Sequence, residues 1–562
     1  MSSLRSANVE RLSGETFDVL VVGGGINGAV SAACLAAKGA RVALIDKADF
    51  ASFTSQQSSN LAWGGIKYME TFEFPLVRKL CMSRNHLIRS YPSTVQEIRF
   101  FAVHARGFRH GLWKLVLGTW LYWFIGNFFT KVPRLLSRKA IAEEEPIVDL
   151  EGADGGFEYS DAYLHDNDAR FVFNFVRSAL DYGCVAANYV ESVSSSRDGD
   201  GVWVTEVRDR ETGRTFPVRS RVVVNACGPF VDAVNARTGI ASGHKHVFSK
   251  GIHLVVPRLT ASRRVLTFFA DDGRLFFVIP MGPRTCIGTT DTRVESPHTE
   301  VTDADRKFVL DNINKRLRLP RPLTMDDVIA ERCGVRPLVV SAQGKPGSDW
   351  MQLSRKHVVE TDESARHVSI FGGKLTDCLN VGEEVAEAVV ALGVNLKFPD
   401  ARWYGEPSDE TYSEFLHQAV LMNLDGLTSK TASEKLTTRL WRRYGADAFD
   451  LLEDMRADPR MAEVLIEGAE YLRCEIALAA RREMIVTLDD FLRRRSKIAL
   501  VVHRNVLRAA PGLREACSVL FGADADARFD AYFDVPGAPV TAVSSREVTG
   551  SPATSPPSPP SS

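Results

Sequence analysis

The stretch FDVLVVGGGINGAVSAACLAAKGARVALIDK, Phe17 to Lys47, decides the fold. Phe17 to Val22 is a short apolar run of the kind that forms a buried parallel strand. Gly23, Gly25 and Gly28 follow it as G-x-G-x-x-G. Ala29 to Lys38 reads as a helix ended by Gly39, and Arg41 to Ile45 as a second strand closed by Asp46. Gly23 permits a tight turn, Gly25 lets backbone approach a pyrophosphate, and Gly28 lets helix and strand pack closely. Free N–H groups at the helix start suit phosphate. Asp46, 18 residues beyond Gly28, suits a ribose hydroxyl. The pattern predicts a Rossmann-like α/β unit that binds a dinucleotide. Its place at the head of the chain, with no second G-x-G-x-x-G for a nicotinamide partner, favours FAD. VVVNACGPFVD, Val222 to Asp232, adds a strand running into a small-residue turn, as a segment returning beneath the dinucleotide would.

The 562 residues suffice for about two to four domains. Hydrophobic residues make up 45% and charged residues 25%, an ordinary globular balance. A net charge of -1 gives no bulk electrostatic case for nucleic acid. Nine cysteines stand singly, without a CxxC pair, which argues against a disulfide framework or a zinc site and suits a reducing compartment. The opening MSSLRSANVERLSGETF has no apolar core segment, so no secretory signal is expected. LWKLVLGTWLYWFIGNFF, Leu112 to Phe129, is the one segment that tests this view. Trp113, Val116, Trp120, Phe124 and Asn127 fall at helical spacing. Its length and the internal Lys114 favour a buried or half-buried helix over an interfacial one, and a true span least of all.

Nine segments resemble, in order, the FAD-dependent glycerol-3-phosphate dehydrogenase family of the D-amino acid oxidase-like superfamily. They are GGGINGA, SSNLAWGGIKYME, GFEYSDAYLHDNDARFV, KGIHLVVP with FFVIP, IGTTDT, CGVRPL, SIFGGKLTD and TLDDFLRRRSKIAL. The resemblance implies hydride transfer from glycerol 3-phosphate to flavin N5, giving dihydroxyacetone phosphate. It further implies electrons passed to a quinone, a cytoplasmic enzyme peripheral to the inner face of a membrane, and room for a homodimer. Arg336 matches a substrate arginine whose planar fork suits phosphate or carboxylate. Lys374 matches a lysine near substrate and flavin, Lys250 and His253 a substrate-domain pair, and Tyr68 a pocket tyrosine. Implied cofactor contacts are Gly23, Gly25, Ile26, Asn27, Gly28, Asp46, Ser58, Ser59, Gly64, Gly65, Val190, Ala226, Gly228, Gly372, Gly373, Lys374 and Leu375. No metal is implied.

The chain departs from the family pattern at one place. The family usually reads S-S-K-L-x-H-G-G-x-R-Y where this chain has SSNLAWGGIKY. Trp63 stands for a histidine, Asn60 for a lysine and Lys67 for an arginine. Tryptophan accepts no proton, and lysine does not reproduce a bidentate arginine. The base would then come from His253, Lys250 or Tyr68, and Lys67 stands with them among the catalytic candidates. A different hydroxy acid, polyol phosphate or amine is the alternative substrate, and a non-catalytic flavin-binding protein the third reading.

The expected organisation is an α/β fold with a Rossmann-like FAD domain interleaved with an antiparallel-sheet substrate domain, followed by an all-helical domain. Residues 1–14 would be flexible, and 15–400 would interleave FAD pieces (about 15–75, 165–240, 350–400) with substrate pieces (about 76–164, 241–349). Residues 401–535 would be helical and 536–562 a disordered Pro/Ser tail. GVWVTEVRDRETGRTFPVRSRVVV reads as a hairpin leading into a core strand. Thr487 reads as a helix N-cap, and Arg493, Arg494 and Arg495 as a solvated helix face.

Overall fold

The computed structural model describes residues 3–270, 273–343, 356–430, 432–466 and 468–534. The expected tail at 536–562 lies outside them. The strand β1 (Thr16–Val22) is followed by the helix α2 (Ile26–Ala37) and the strand β2 (Val42–Ile45). In its sheet β1 runs parallel to β2 and to Thr215–Asn225; Val185–Ala187 and His367–Phe371 extend it, also parallel. Both faces are covered, so β2 is buried throughout and reads as a continuous apolar run. The helix α2 is built of small residues and buried from Asn27 to Ala37, because it packs between the helices Asp168–Asp181 and Cys378–Ala391. The expected hairpin is Trp203–Asp209 pairing antiparallel with Thr215–Asn225.

The second sheet has ten strands, mostly antiparallel. Among the described residues its one parallel contact joins Val95–Ala105 to Val265–Phe269. The long strands His244–Pro257 and Ala330–Ser341 pair antiparallel over twelve positions, from His244↔Ser341 to Val255↔Ala330. From Asp409 the chain is helical, ending with Ala525–Asp534.

Two expectations are corrected. Within 1–14, expected to be flexible, Leu4–Gly14 forms the helix α1, capped by Ser3, with Arg5, Asn8, Val9 and Leu12 buried. Arg5 pairs with the buried Asp209, and Asn8 Nδ2 donates to Ala186 O at 2.8 Å. The helix Leu112–Ile125 is half-buried, as its sequence suggests: it buries Val116, Thr119 and Tyr122 and leaves Trp113 (67%), Leu117 (67%) and Phe124 (61%) exposed, so its outer apolar face has no protein cover among the described residues. Among the described residues no helix is long and apolar enough to cross a membrane. Finally, Arg493, Arg494 and Arg495 are buried rather than solvated. The turn that carries them, Asp490–Arg495, is a π-helix. Thr487 does cap it: Thr487 Oγ1 accepts from Asp490 N at 3.4 Å.

Against its burial, hydrogen bonds from Arg5 and Thr212 hold the Asp209 carboxyl below its ordinary range. Arg5→Ala strands that carboxylate and is expected to cost about 2 kcal/mol at pH 7 by denaturant titration. A depressed carboxyl stabilises the fold above its unfolded value, and that stability is lost as pH falls through the folded value. The gap between variant and wild type therefore narrows below about pH 4.

Candidate functional site

The glycine turn brings backbone against backbone. Gly23 has φ +103°, and a Cβ there would sit 2.6 Å from Ala226 O; one on Gly28 would sit 1.7 Å from Gly23 O. The Ala226–Gly228 turn thus lies directly beneath the loop, with Ala226 N donating to Val22 O at 2.9 Å. Gly25 caps α2 without a side chain. Of the first N–H groups, Ile26 N finds Ser55 Oγ at 3.0 Å. The remaining donors and the helix dipole suit an anion.

Asp46 is half-buried at the end of β2 and accepts from Gly24 N at 2.7 Å and Ala48 N at 2.9 Å. Burial outweighs these bonds and pushes its carboxyl up to about 6. Val190 is buried beside it, its N–H given to Asp46 O at 2.7 Å. Asn27 Nδ2 reaches Gly372 O at 2.9 Å, while Asn27 Oδ1 is buried with no hydrogen-bond partner. A buried acceptor of that kind is costly unless something donates to it. The glycine cradle, the open helix start, the carboxylate and this orphan acceptor fit a bound FAD.

The loop after β2 carries Ser58 and Ser59, both half-buried. Ser58 N donates to Asp168 Oδ2 at 2.8 Å, and Ser58 Oγ accepts from Asn60 N at 3.0 Å. Gly64 N donates to Asp161 Oδ1 at 2.9 Å. Asp161 is fully buried and also takes Arg84 Nη1 (3.1 Å) and Tyr122 OH (2.9 Å). Gly65, at φ +82°, lies close enough to Tyr68 that a Cβ would meet its ring at 2.8 Å. Trp63 O accepts from Thr376 Oγ1 at 3.3 Å, while the indole N–H is buried without a hydrogen bond. Trp63 therefore serves as an apolar surface at this place, where the resemblance leads one to expect a histidine.

Strand alternation sorts the polar candidates. Directly paired residues share a face, so Ser249, Gly251 and His253 lie with Arg336, Gly334 and Arg332. Lys250 falls on the other face, where its ammonium bonds Asp305 at 2.5 Å and Glu300 O at 3.3 Å, at the capping turn of the helix Asp303–Arg316. The expectation that Lys250 joins His253 in one pocket is corrected: residues an odd number apart on a strand face opposite ways. Arg336 lies over Gly251 and reaches Thr289 Oγ1 (3.2 Å) and Asp291 Oδ1 (3.3 Å).

The imidazole of His253 is buried and neither ring nitrogen has a partner. Burial first, then Arg332 and Arg336, push it down to about 3, so it is neutral near pH 7. The Gly372–Gly373 turn packs onto the Arg336 strand; a Cβ on Gly372 would stand 2.5 Å from Val339 Cγ2. That turn presents Lys374 with its Nζ 4.1 Å from the centre of the Tyr68 ring, and Leu375 beside it half-buried. Lys67 is exposed at the rim.

Several residues of the site were not read from the sequence. Arg332, fully buried, donates to Asn60 Oδ1 (2.6 Å), Gln56 O (3.3 Å) and Asp168 Oδ1 (2.8 Å). It brings positive charge to the place where the family pattern has a lysine at 60. Its spacing of four from Arg336 on a strand was the available signal. Ser55, Asp161 and His246, whose Nε2 accepts from Gly372 N at 3.1 Å, gave no local signal.

Known proteins resemble this chain over most of its length. The profile of the family described as FAD dependent oxidoreductase matches residues 18–387, and that of the C-terminal domain of alpha-glycerophosphate oxidase matches 395–528. Glycerol-3-phosphate dehydrogenase 2 of Mycobacterium bovis is 32% identical over 517 residues, covering 89% of this chain and 84% of its own length. D-Erythritol 1-phosphate dehydrogenase of Brucella abortus is 30% identical over 496 residues, covering 86% and 94%. The X-ray structure of the glycerol-3-phosphate dehydrogenase from Bacillus halodurans complexed with FAD superposes with a TM-score of 0.71 at 24% identity, covering 95% and 97%.

Gly28→Ala must force α2 off β1 and is expected to yield protein without flavin absorbance. Gly118→Ala, where a Cβ meets nothing within 4 Å, is expected to leave the absorbance at the wild-type level.

Proposed function

The chain belongs to the FAD-dependent oxidoreductase family, with the C-terminal domain of the alpha-glycerophosphate oxidase type, and from that premise we propose that it oxidises glycerol 3-phosphate to dihydroxyacetone phosphate. The observation that carries the reading is the shared strand face of Arg336 and His253, an anion fork and an unpartnered imidazole on one surface. Bound FAD supplies a two-electron acceptor for the hydride of the carbinol carbon. Arg336 grips the phosphate, and Lys374 adds a second positive charge from the Gly372–Gly373 turn. A nitrogen of His253 takes the hydroxyl proton. Held near 3, that imidazole is a weak base. A phosphate dianion at Arg336 offsets the guanidinium field and brings it back up, so the base is strengthened by the substrate it serves. Trp63 packs on the carbon skeleton and excludes water. A quinone is the proposed final acceptor.

A longer polyol phosphate is the second reading. The relatives divide between a glycerol and an erythritol phosphate at 32% and 30% identity. The indole of Trp63 reshapes the pocket where the resemblance has an imidazole.

We place peripheral membrane contact on the outer face of Leu112–Ile125. Trp113, Leu117, Trp120, Leu121 and Phe124 are exposed there, with the exposed Phe128 packed against Phe124 and with Lys114 and Lys131 close in sequence. A patch of this kind on one helix, with basic residues beside it, suits a bilayer surface.

Anaerobic addition of glycerol 3-phosphate is expected to bleach the flavin band of wild-type protein. His253→Asn is expected to slow bleaching by about 10²–10⁴-fold. Bleaching by erythritol 1-phosphate alone would transfer the assignment to the longer substrate; a His253→Asn rate within threefold of wild type would remove the base. Separately, the protein should cosediment with vesicles containing anionic lipid. The triple change Trp113→Ser, Leu117→Ser and Phe124→Ser should abolish that while leaving anaerobic bleaching intact.

A further inference from the structure

The wall of the phosphate cradle is the segment 46–57, and the C-terminal domain holds it. Ala51 N donates to Gly24 O at 3.0 Å, and Ser55 Oγ takes the first N–H of α2. Phe50 is buried over the turn, where a Cβ on Gly24 would meet its ring at 2.4 Å. Between these contacts Asp49 is fully buried. Arg495 grips it with both Nη groups, at 2.8 Å and 2.7 Å, and Arg494 Nε binds it at 2.6 Å. Arg494 Nη1 also reaches Gln56 Oε1 at 3.3 Å, and Arg493 Nη2 reaches Gln57 Oε1 at 2.9 Å. The turn is a π-helix, closed by Ser496 N on Phe491 O at 2.8 Å, and its three long arginine side chains all reach segment 46–57.

We propose that Arg493, Arg494 and Arg495 are positioning residues for the cofactor: they fix segment 46–57 against the glycine turn, so that FAD binding and docking of the C-terminal domain favour each other. The bonds named above run to protein partners, so the arginines act through Asp49, Gln56 and Gln57. A buried carboxylate is tolerated only while paired. Without the guanidiniums Asp49 turns to water and takes Phe50 and Ala51 off Gly24, opening the cradle on the side where Ser55 meets α2. By linkage the effect is reciprocal, so bound FAD tightens the arginine turn.

The test uses full-length protein stripped of flavin and titrated with FAD, read by quenching of flavin fluorescence. Arg495→Met is expected to weaken FAD binding by at least about tenfold, with Arg495→Lys restoring part of the loss. In wild type, FAD is expected to slow amide hydrogen exchange across 488–500. An Arg495→Met protein with the wild-type apoprotein melt and FAD affinity within twofold would overturn the proposal. Exchange across 488–500 indifferent to FAD would do the same. If Arg495→Met does not fold, Gln57→Ala, which deletes only the Arg493 contact, decides: a weaker FAD affinity supports the proposal and an unchanged one sinks it.

Discussion

The site depends on a contact that admits no side chain. The Cα of Gly28 lies against the carbonyl of Gly23, and the Gly23 turn lies against the carbonyl of Ala226. This closeness lets α2 start directly at the end of β1, with its free N–H groups at the carboxyl edge of the parallel strands. Everything the cofactor would meet is referred to that turn: Asp46 through Gly24, Ser55 through Ile26, and Gly372 through Asn27.

The second constraint is the register of two long strands. Pairing His253 with Arg332 and Ser249 with Arg336 puts one imidazole and two guanidiniums on a single face. The same register sends Lys250 to Asp305 on the opposite face. A slip of one residue would exchange those sets and leave the site without its fork. The arrangement also tunes the imidazole: burial first, and then the guanidiniums of Arg332 and Arg336, push His253 down and keep it neutral near pH 7.

Three buried carboxylates fasten the loops around the site, each through an arginine from a distant segment. Asp49 is held by Arg494 and Arg495, Asp161 by Arg84, and Asp168 by Arg332. Such pairs add little net stability compared with apolar packing, yet breaking one leaves an unpaired buried charge. They therefore work as geometric fasteners for a loop that would otherwise be held by few apolar contacts.

What the sequence by itself determined was local: the strand–glycine–helix unit with its terminal acid, the hairpin running into a core strand, and the cap at Thr487. The glycine spacing, alternation and capping behind these features act within a few residues, so the chain need not be folded to read them. The FAD family was legible for the same reason, since its loops are short motifs with fixed spacing. Only the tertiary structure decided the rest. The segment Leu4–Gly14 is ordered because Asp209 and Ala186 receive it, and three arginines are buried because Asp49 waits some 440 residues earlier in the chain, the Arg495–Asp49 separation being 446. Likewise, Asn60 is served by Arg332 across a separation of 272 residues, and the outer face of Leu112–Ile125 is bare because no other segment covers it among the described residues. A charged or apolar side chain carries no local mark of its partner; the partner is chosen when distant segments pack, and burial then fixes whether the charge is paired or solvated.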